Sequence, residues 1–393
     1  MKTAYLVFTA GLLFGTGALA AADADGVVAK GTGLPASLPS TRRVAKIGLN
    51  EWVAVAQKKG WLQEEFAKQG ATVEVVDIRA VGAPSVEASL FRRGDLHIAQ
   101  RMAYPSLQHR ANGFDLVVVW AGGDCHPRRA TTIVLKKSKI KNLEDLKGKS
   151  YGSSRLGCPY FATFEALKAK GIELDSDLKK GDVRFVNVTG SPALSTFLAG
   201  EIDALGTHPA YFTMAAIYDK GLVREISESV PNGEYVTGGG RALVLTLREY
   251  ATQNPDLIQA YFRAYNRTRK WIVFENHYDE AAEIVAEEYR ISKSVALYTI
   301  KDESRIVLDA GQPSYSNEVD SLRHFLAWAI KNGDDFYSAK PLSDEQVAAF
   351  VDQRFFEGGK FYVDTTDGAL GVNRTQAALP SAPVVLAQTE NKL

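Results

Sequence analysis

The sequence predicts an α/β fold of two lobes, each a mostly parallel sheet flanked by helices. Two observations carry this expectation. From Arg43 onward, short β-branched runs alternate with amphipathic helical stretches, and strands alternating with helices give a parallel sheet covered on both faces. The pattern then restarts near Ala130 with an internal echo. "GAPSVEASLFRRGDLHIA" (82–99) and "GSPALSTFLAGEIDAL" (190–205) both run Gly-x-Pro, apolar helix, Gly-acid-aliphatic, strand, although they differ by two residues in length. Two lobes built from one unit would produce that echo.

Taken in order, "VAKIGL" reads as a buried strand, followed by one amphipathic helix over "WVAVAQKKGWLQEEFAKQG" that stops at Gly70. "TVEVVDI" is the next strand. A helix follows with Pro84 in its first turn, where a missing N–H costs least. "DLHIA" and "DLVVVWA" are strands, separated by a helix over "YPSLQHRANG". The second series comprises "ATTIVLKK", "KNLEDLKG", "KSYGSS" and a helix after Cys158. After "RALVLTL" the chain turns to long helices, of which "PDLIQAYFRAYNRTRKWIVFEN" is the clearest.

The ends differ from this body. "MKTAYLVFTAGLLFGTGALAAADADG" has one lysine, a short apolar run and small residues ending Ala18-Leu19-Ala20, which is the chemistry of a cleavable secretory signal peptide. The apolar run is too short to span a bilayer. The expected organisation is a signal at 1–20, a flexible leader at 21–42, a discontinuous first lobe at 43–129 and 235–370, a second lobe at 130–234, and a loose tail at 371–393. The expected location is the periplasm. Lysine plus arginine and aspartate plus glutamate both number 46, and this neutrality argues against a nucleic-acid partner, whose footprint would be basic.

In open parallel sheets, ligands bind beyond the carboxyl ends of the strands. The residues at those ends form the candidate ligand site: Asn50 and Trp52, then Ser85, then Gln100 and Arg101. In the second lobe they are Ser153, Ser154, Arg155 and Gly157, with Thr207 and His208, and Arg241 follows where the chain returns to the first lobe. Arginine presents a planar fork of donors suited to carboxylate, sulfonate or phosphate oxygens. "YGSSRLGCPYF" (151–161) places two serines and Arg155 ahead of a helix, whose N-terminus offers unpaired N–H groups and partial positive charge. The aromatics Trp52, Tyr104, Tyr160 and Tyr211 lie within a few residues of these loops. Glu51 would repel an anion unless it pairs with an arginine. Arg128 and Arg129 read as a solvated surface pair.

Two cysteines, Cys125 and Cys158, occur in a chain expected to be exported, where disulfides persist; a disulfide and two thiols both fit. Their spacing matches no zinc signature, and neither a metal nor a cofactor is expected.

The run "KKGWLQEEFAKQG…VEVVDIRAVGAPSVEASLFRRGDLHIA" resembles the exported binding proteins of taurine, alkanesulfonate and nitrate uptake systems. "TTIVLKKSKIKNLEDLKGKSYGSS" and "FLAGEIDALGTHPAYF" are similar to the second-lobe segments of the same proteins. The resemblance covers roughly residues 43 to 290. It implies a type II periplasmic binding fold, a small organic anion held between the lobes, with a sulfonate as the leading guess, and delivery by a monomer to a membrane ABC permease and its ATPase. Aromatic carboxylates and nitrate are the alternatives.

A rival class is an enzyme on this scaffold. The resemblance places the nucleophile of a desulfinase-like relative in the loop after the first strand, where this chain has Asn50-Glu51-Trp52 and no thiol. The cysteine-rich cluster of the thiamine-pyrimidine synthases has no counterpart here. Gly-x-Ser-x-Gly and His-Glu-x-x-His are absent from the sequence. Cys158, at a helix start near Arg155, is the one feature a thiol mechanism could use. An extracytoplasmic sensor module is a third possibility, with the same binding chemistry. No catalytic residue is assigned.

Overall fold

The structure is a computed structural model that describes residues 43–78, 84–121, 131–155, 157–208, 212–226, 242–309 and 314–365. The expected signal, leader and tail lie outside these residues. Among the described residues, no helix is long and apolar enough to cross a membrane.

The first series comprises β1 (Arg43–Gly48), α1 (Glu51–Lys58), α2 (Trp61–Ala67), β2 (Ala71–Val76), α3 (Pro84–Arg93), β3 (Ala99–Met102), α4 (Ala103–Ala111) and β4 (Leu116–Ala121). The single helix expected over 52–70 is two helices. Gly60 adopts φ 75, a left-handed conformation that ends α1 and redirects the chain into α2.

The second series comprises β5 (Thr131–Leu135), β6 (Ser150–Ser153), α5 (Cys158–Ala169), β7 (Leu174–Asp175), β8 (Val183–Asn187), α6 (Gly190–Leu198), β9 (Ala204–Thr207), α7 (Phe212–Asp219) and β10 (Val223–Glu225). The chain then forms β11 (Ala242–Leu247), α8 (Arg248–Gln253), α9 (Pro255–Arg269), α10 (Tyr278–Tyr289), α11 (Lys293–Asp309), α12 (Tyr315–Lys331), α13 (Asp335–Ala339) and α14 (Asp344–Ala348). A π-helical turn at Lys270–Phe274 closes α9.

β1 pairs in parallel with β2, and Ile47 bridges in parallel to Ile98, with the Gly48 N–H donating to the Ile98 carbonyl at 2.8 Å. β11 lies between β3 and β4, antiparallel to both. The first sheet therefore reads β2-β1-β3-β11-β4. The second reads β10-β5-β9-β6-β8-β7, with β5 antiparallel to β9 and β10 and the other pairs parallel.

Apart from β7, the two orders are the same. Each sheet carries one antiparallel strand in its fourth place, and the echoing segments become α3–β3 and α6–β9. The glycines after those helices, Gly94 and Gly200, take φ 70 and 79, which explains why the motif repeats a glycine there.

Alternation along β4 shows how the first sheet is sandwiched. Val117 and Val119 enter a core built with α1, α2, α9 and α10. Leu116 and Val118 enter one built with α4, α12 and α14, which also takes Tyr160, Phe161 and Phe164 from α5. The second sheet has its own two cores, around Tyr151 with Leu167 and around Phe197 with Ile217. Every one of these side chains is 5 % exposed or less.

Candidate ligand site

At the end of β1, Asn50 performs two tasks. Its Oδ1 accepts from the Val53 N–H at 2.8 Å, capping α1, and its Nδ2 donates to Gln100 Oε1 at 3.0 Å. Glu51 sits in the first turn of α1, where the positive end of the helix suits a carboxylate. Trp52 is a core residue, 1 % exposed and edge-on to Tyr265 at 5.8 Å.

Gln100 and Arg101 were expected in a loop beyond the third strand. The structure places both inside β3, because pairing with β11 carries the strand through Met102. Alternation sends the two side chains to opposite faces. Gln100 meets Asn50. Arg101 meets Glu87 of α3, which its Nε contacts directly. Burial pushes the Glu87 carboxyl above the usual carboxylate range, against the opposing pull of Arg101. Ser85 lies in the first turn of α3, and its side chain is outside the described residues.

At the end of β6, Ser153 is 1 % exposed and its hydroxyl lies beside that of Tyr151. Ser154 and Arg155 are half-buried, and the Arg155 N–H donates to Asn187 Oδ1 at the end of β8 at 3.0 Å. Gly157 is the residue ahead of α5, its N–H donating to the Ser154 carbonyl at 2.9 Å. Thr207 ends β9 and is buried, while His208 beside it is half-buried. Between them and β6, Gly206 is required by close approach: a Cβ there would lie 2.0 Å from the Tyr151 hydroxyl. That hydroxyl in turn donates to the Pro159 carbonyl at 2.7 Å, fixing the start of α5.

Arg155 has partners that its local sequence does not disclose. Its Nη1 donates to the Tyr104 hydroxyl at 2.9 Å and lies 3.5 Å from Asp334 Oδ2, while its guanidinium sits 4.2 Å over the Tyr160 ring. Tyr104 donates to the same Asp334 oxygen at 3.1 Å. Burial first, then the Asp334 charge, hold the Tyr104 phenol well above its ordinary range, so it stays a donor. Sequence reasoning missed Glu87, Asn187 and Asp334. Asn187 had a signal, since "VRFVN" reads as a strand closing on an amide, but Asp334 in "NGDD" reads only as a turn.

Arg241, Cys125, Arg128, Arg129 and Tyr211 lie outside the described residues. Cys158 begins α5 and is half-buried. Among the described residues, no group of three or more His, Cys, Asp or Glu side chains could hold a metal ion.

Polar side chains thus gather near the carboxyl ends of parallel strands in both sheets: Asn50 in one, bonded to Gln100 within β3, and Ser154, Asn187, Thr207 and His208 in the other. The Tyr104–Arg155 bond joins residues that each lie two positions beyond a strand, β3 in one sheet and β6 in the other. Such an arrangement can supply neutral donors and helix-end N–H groups to a small polar ligand.

Comparison with known proteins agrees with this architecture. Over 260 residues, 65 % of this chain and 73 % of the relative, the sequence is 22 % identical to a Bacillus subtilis (strain 168) protein named for binding aliphatic sulfonates. It is 31 % identical over 182 residues, 44 % of this chain and 52 % of the relative, to a Haemophilus influenzae (strain ATCC 51907 / DSM 11121 / KW20 / Rd) protein named for thiamine biosynthesis. Among solved structures, the alkanesulfonate-binding protein SsuA from Xanthomonas axonopodis pv. citri, bound to MOPS, superposes with a TM-score of 0.61 at 18 % identity, over 80 % of this chain and 99 % of that one. The fold is that of the two-lobed periplasmic binding proteins. The model of the family described as NMT1/THI5 like matches residues 52–279, and the chain belongs to that family.

Proposed function

We propose that this chain is an exported solute-binding protein that captures a small organic anion, a sulfonate, and delivers it to an ABC importer. The observation that carries the reading is the Tyr104–Arg155 bond, which ties the start of α4, after β3 of one sheet, to the loop after β6 of the other. A buried anion must exchange its water for donors on more than one side. Asn50, Gln100, Ser154, Thr207, His208 and the N–H groups at Gly157 and the start of α5 are the proposed contacts. Ser85, Arg101, Ser153, Arg155 and Arg241 complete the set, and Trp52 backs it from the core. The lobes are proposed as 43–129 with 235–370, and 130–234. The protein acts as a monomer in the periplasm after loss of residues 1–20, without a cofactor. The likeness to sulfonate-binding relatives supports the ligand class.

The test is a thermal-shift screen of the mature chain against MOPS, taurine, ethanesulfonate, benzoate and nitrate. Ligand at about 100 times Kd adds about 2.7 kcal/mol to stability, a readily seen rise in melting temperature. Stabilisation by a sulfonate supports the reading; no shift with any sulfonate at millimolar concentration defeats it. The same mixtures are assayed for sulfite, whose release would make the chain an enzyme.

A further inference from the structure

The segment "KKSKIKNLEDLKGK" (136–149) sets six lysines against two carboxylates, in a chain that is neutral as a whole. It is firmly held. Ile140, Leu143 and Leu146 recur at every third position, are 5 % exposed or less, and enter the core around Tyr151. Arg224 of β10 donates from Nη2 to the carbonyls of Ser138 at 3.1 Å and Ile140 at 2.8 Å. With those residues fixed inward, Lys136, Lys137, Lys139, Lys141, Lys147 and Lys149 are all exposed.

In the first series, Lys46, Lys58, Lys59 and Lys68 each lie within 3.3 Å of a carboxylate. None of the six lysines of 136–149 has such a partner among the described residues. The two acids of the segment are engaged otherwise: Glu144 pairs with Lys170, and Asp145 accepts from the Lys141 N–H at 2.7 Å. β6 leads from Lys149 to Ser154, so these lysines stand at the end of the second sheet opposite the candidate site. β5, antiparallel to β9, brings Lys136 to the same end, where its N–H donates to the Leu222 carbonyl at 2.8 Å. The Gly148 N–H donates to the Asp182 carbonyl at 2.7 Å, which joins the segment to the β7–β8 loop. Leu178 on that loop and Leu222 are each 44 % exposed.

We propose that this end of the second sheet is a docking surface for an anionic phospholipid bilayer. A lysine ammonium is a compact, hydrated charge on a flexible stem, suited to many loosely placed phosphates rather than to one buried anion. Each lysine within a Debye length of an anionic membrane adds to the attraction, and two engaged carboxylates do not offset six cations. Leu178 and Leu222 flank the lysines and add apolar contact in the headgroup layer. The attraction is electrostatic and reversible, so it concentrates the chain at the membrane without fixing it there. A chain lying on this end points its candidate ligand site away from the bilayer, and has to turn before a membrane protein can receive a ligand from it. None of this depends on what the ligand is.

The test is co-sedimentation of the mature chain, free of the apolar residues 1–20, with vesicles of equal parts phosphatidylglycerol and phosphatidylcholine. Binding is expected at about 20 mM salt and should be lost at about 500 mM. Vesicles of phosphatidylcholine alone should not bind. Lys137→Glu with Lys139→Glu should weaken binding at least about tenfold. Lys331→Glu with Lys360→Glu makes the same charge change at exposed lysines elsewhere, and should weaken it less than about threefold. The proposal fails if the anionic vesicles do not bind the wild type, if neutral vesicles bind it equally, or if the two variants lose affinity alike. It fails too if polyglutamate binds more tightly than the vesicles at equal anionic charge, which would make the surface one for an acidic protein. Because no ligand is added, these outcomes are independent of the sulfonate reading.

Discussion

The guanidinium of Arg155 and the carboxylate of Asp334 lie 3.5 Å apart, the carboxylate with no exposed surface and the guanidinium side chain 21 % exposed. Were Arg155 a ligand contact and nothing more, Arg155→Ala would weaken binding and leave the ligand-free protein as stable as before. The pairing changes that expectation. Removing the guanidinium leaves a buried charge uncompensated, at a cost of about 3 kcal/mol. Urea unfolding of ligand-free Arg155→Ala should show this loss, and Arg155→Ala with Asp334→Asn should recover part of it.

Gln100→Ala and Ser154→Ala separate recognition from stability. The first removes a neutral hydrogen-bonding group from within β3 and the second one just after β6, each worth about 1 kcal/mol, or about fivefold in affinity. Calorimetry with the sulfonate that stabilises the wild type should show that loss. Unchanged affinity in both variants would place the ligand elsewhere.

Gly206→Ala should destabilise the protein by about 2 kcal/mol, because its methyl would collide with the Tyr151 hydroxyl and push it from the Pro159 carbonyl. Pairing it with Tyr151→Phe, which removes the colliding oxygen but leaves the ring carbon 2.9 Å from the new methyl and gives up the bond to Pro159, should restore only part of the loss. Denaturant midpoints measure both.

His109 gives a pH dependence with a definite sign. Burial, then the Arg101 charge, lowers its pKa to about 4 in the folded protein, whereas an unfolded histidine titrates near its ordinary value of about 6.5. Between those values the unfolded chain binds the proton that the folded chain refuses, so stability falls as pH falls. The difference from pH 7.5 to pH 4.5 is about 2.5 kcal/mol. Several carboxylates, Asp95 and Asp115 among them, have lowered values and lose their contributions only as pH falls further. Subtracting the profile of His109→Gln over pH 4.5–7.5 isolates the histidine.

Much of the architecture was legible because its signals are local. Alternating runs give strands, and the glycine of the repeated motif marks the end of each echoing helix. The break at Gly60 was missed because the apolar spacing continues across it, and periodicity is blind to one left-handed residue. Gln100 and Arg101 were placed in a loop because only β11, far along the chain, extends β3 through them. The candidate site divided on the same line. Asn50, Ser154 and Thr207 follow from where parallel strands stop. The fates of Arg101 and Arg155 depend on Glu87 and Asp334, whose approach is a tertiary event that no local spacing announces.

The shared order of the two sheets has a temporal consequence. All the strands of the second sheet lie in one unbroken span of sequence, so that sheet can close as soon as β10 has formed. The first sheet is built around β11, which arrives only after the whole second sheet has been made. Until then β3 and β4 keep open edges, where stray pairing with another chain is most dangerous. The half that begins the chain is thus the last to be finished, and its late, long-range closure is the slow step the topology imposes on folding.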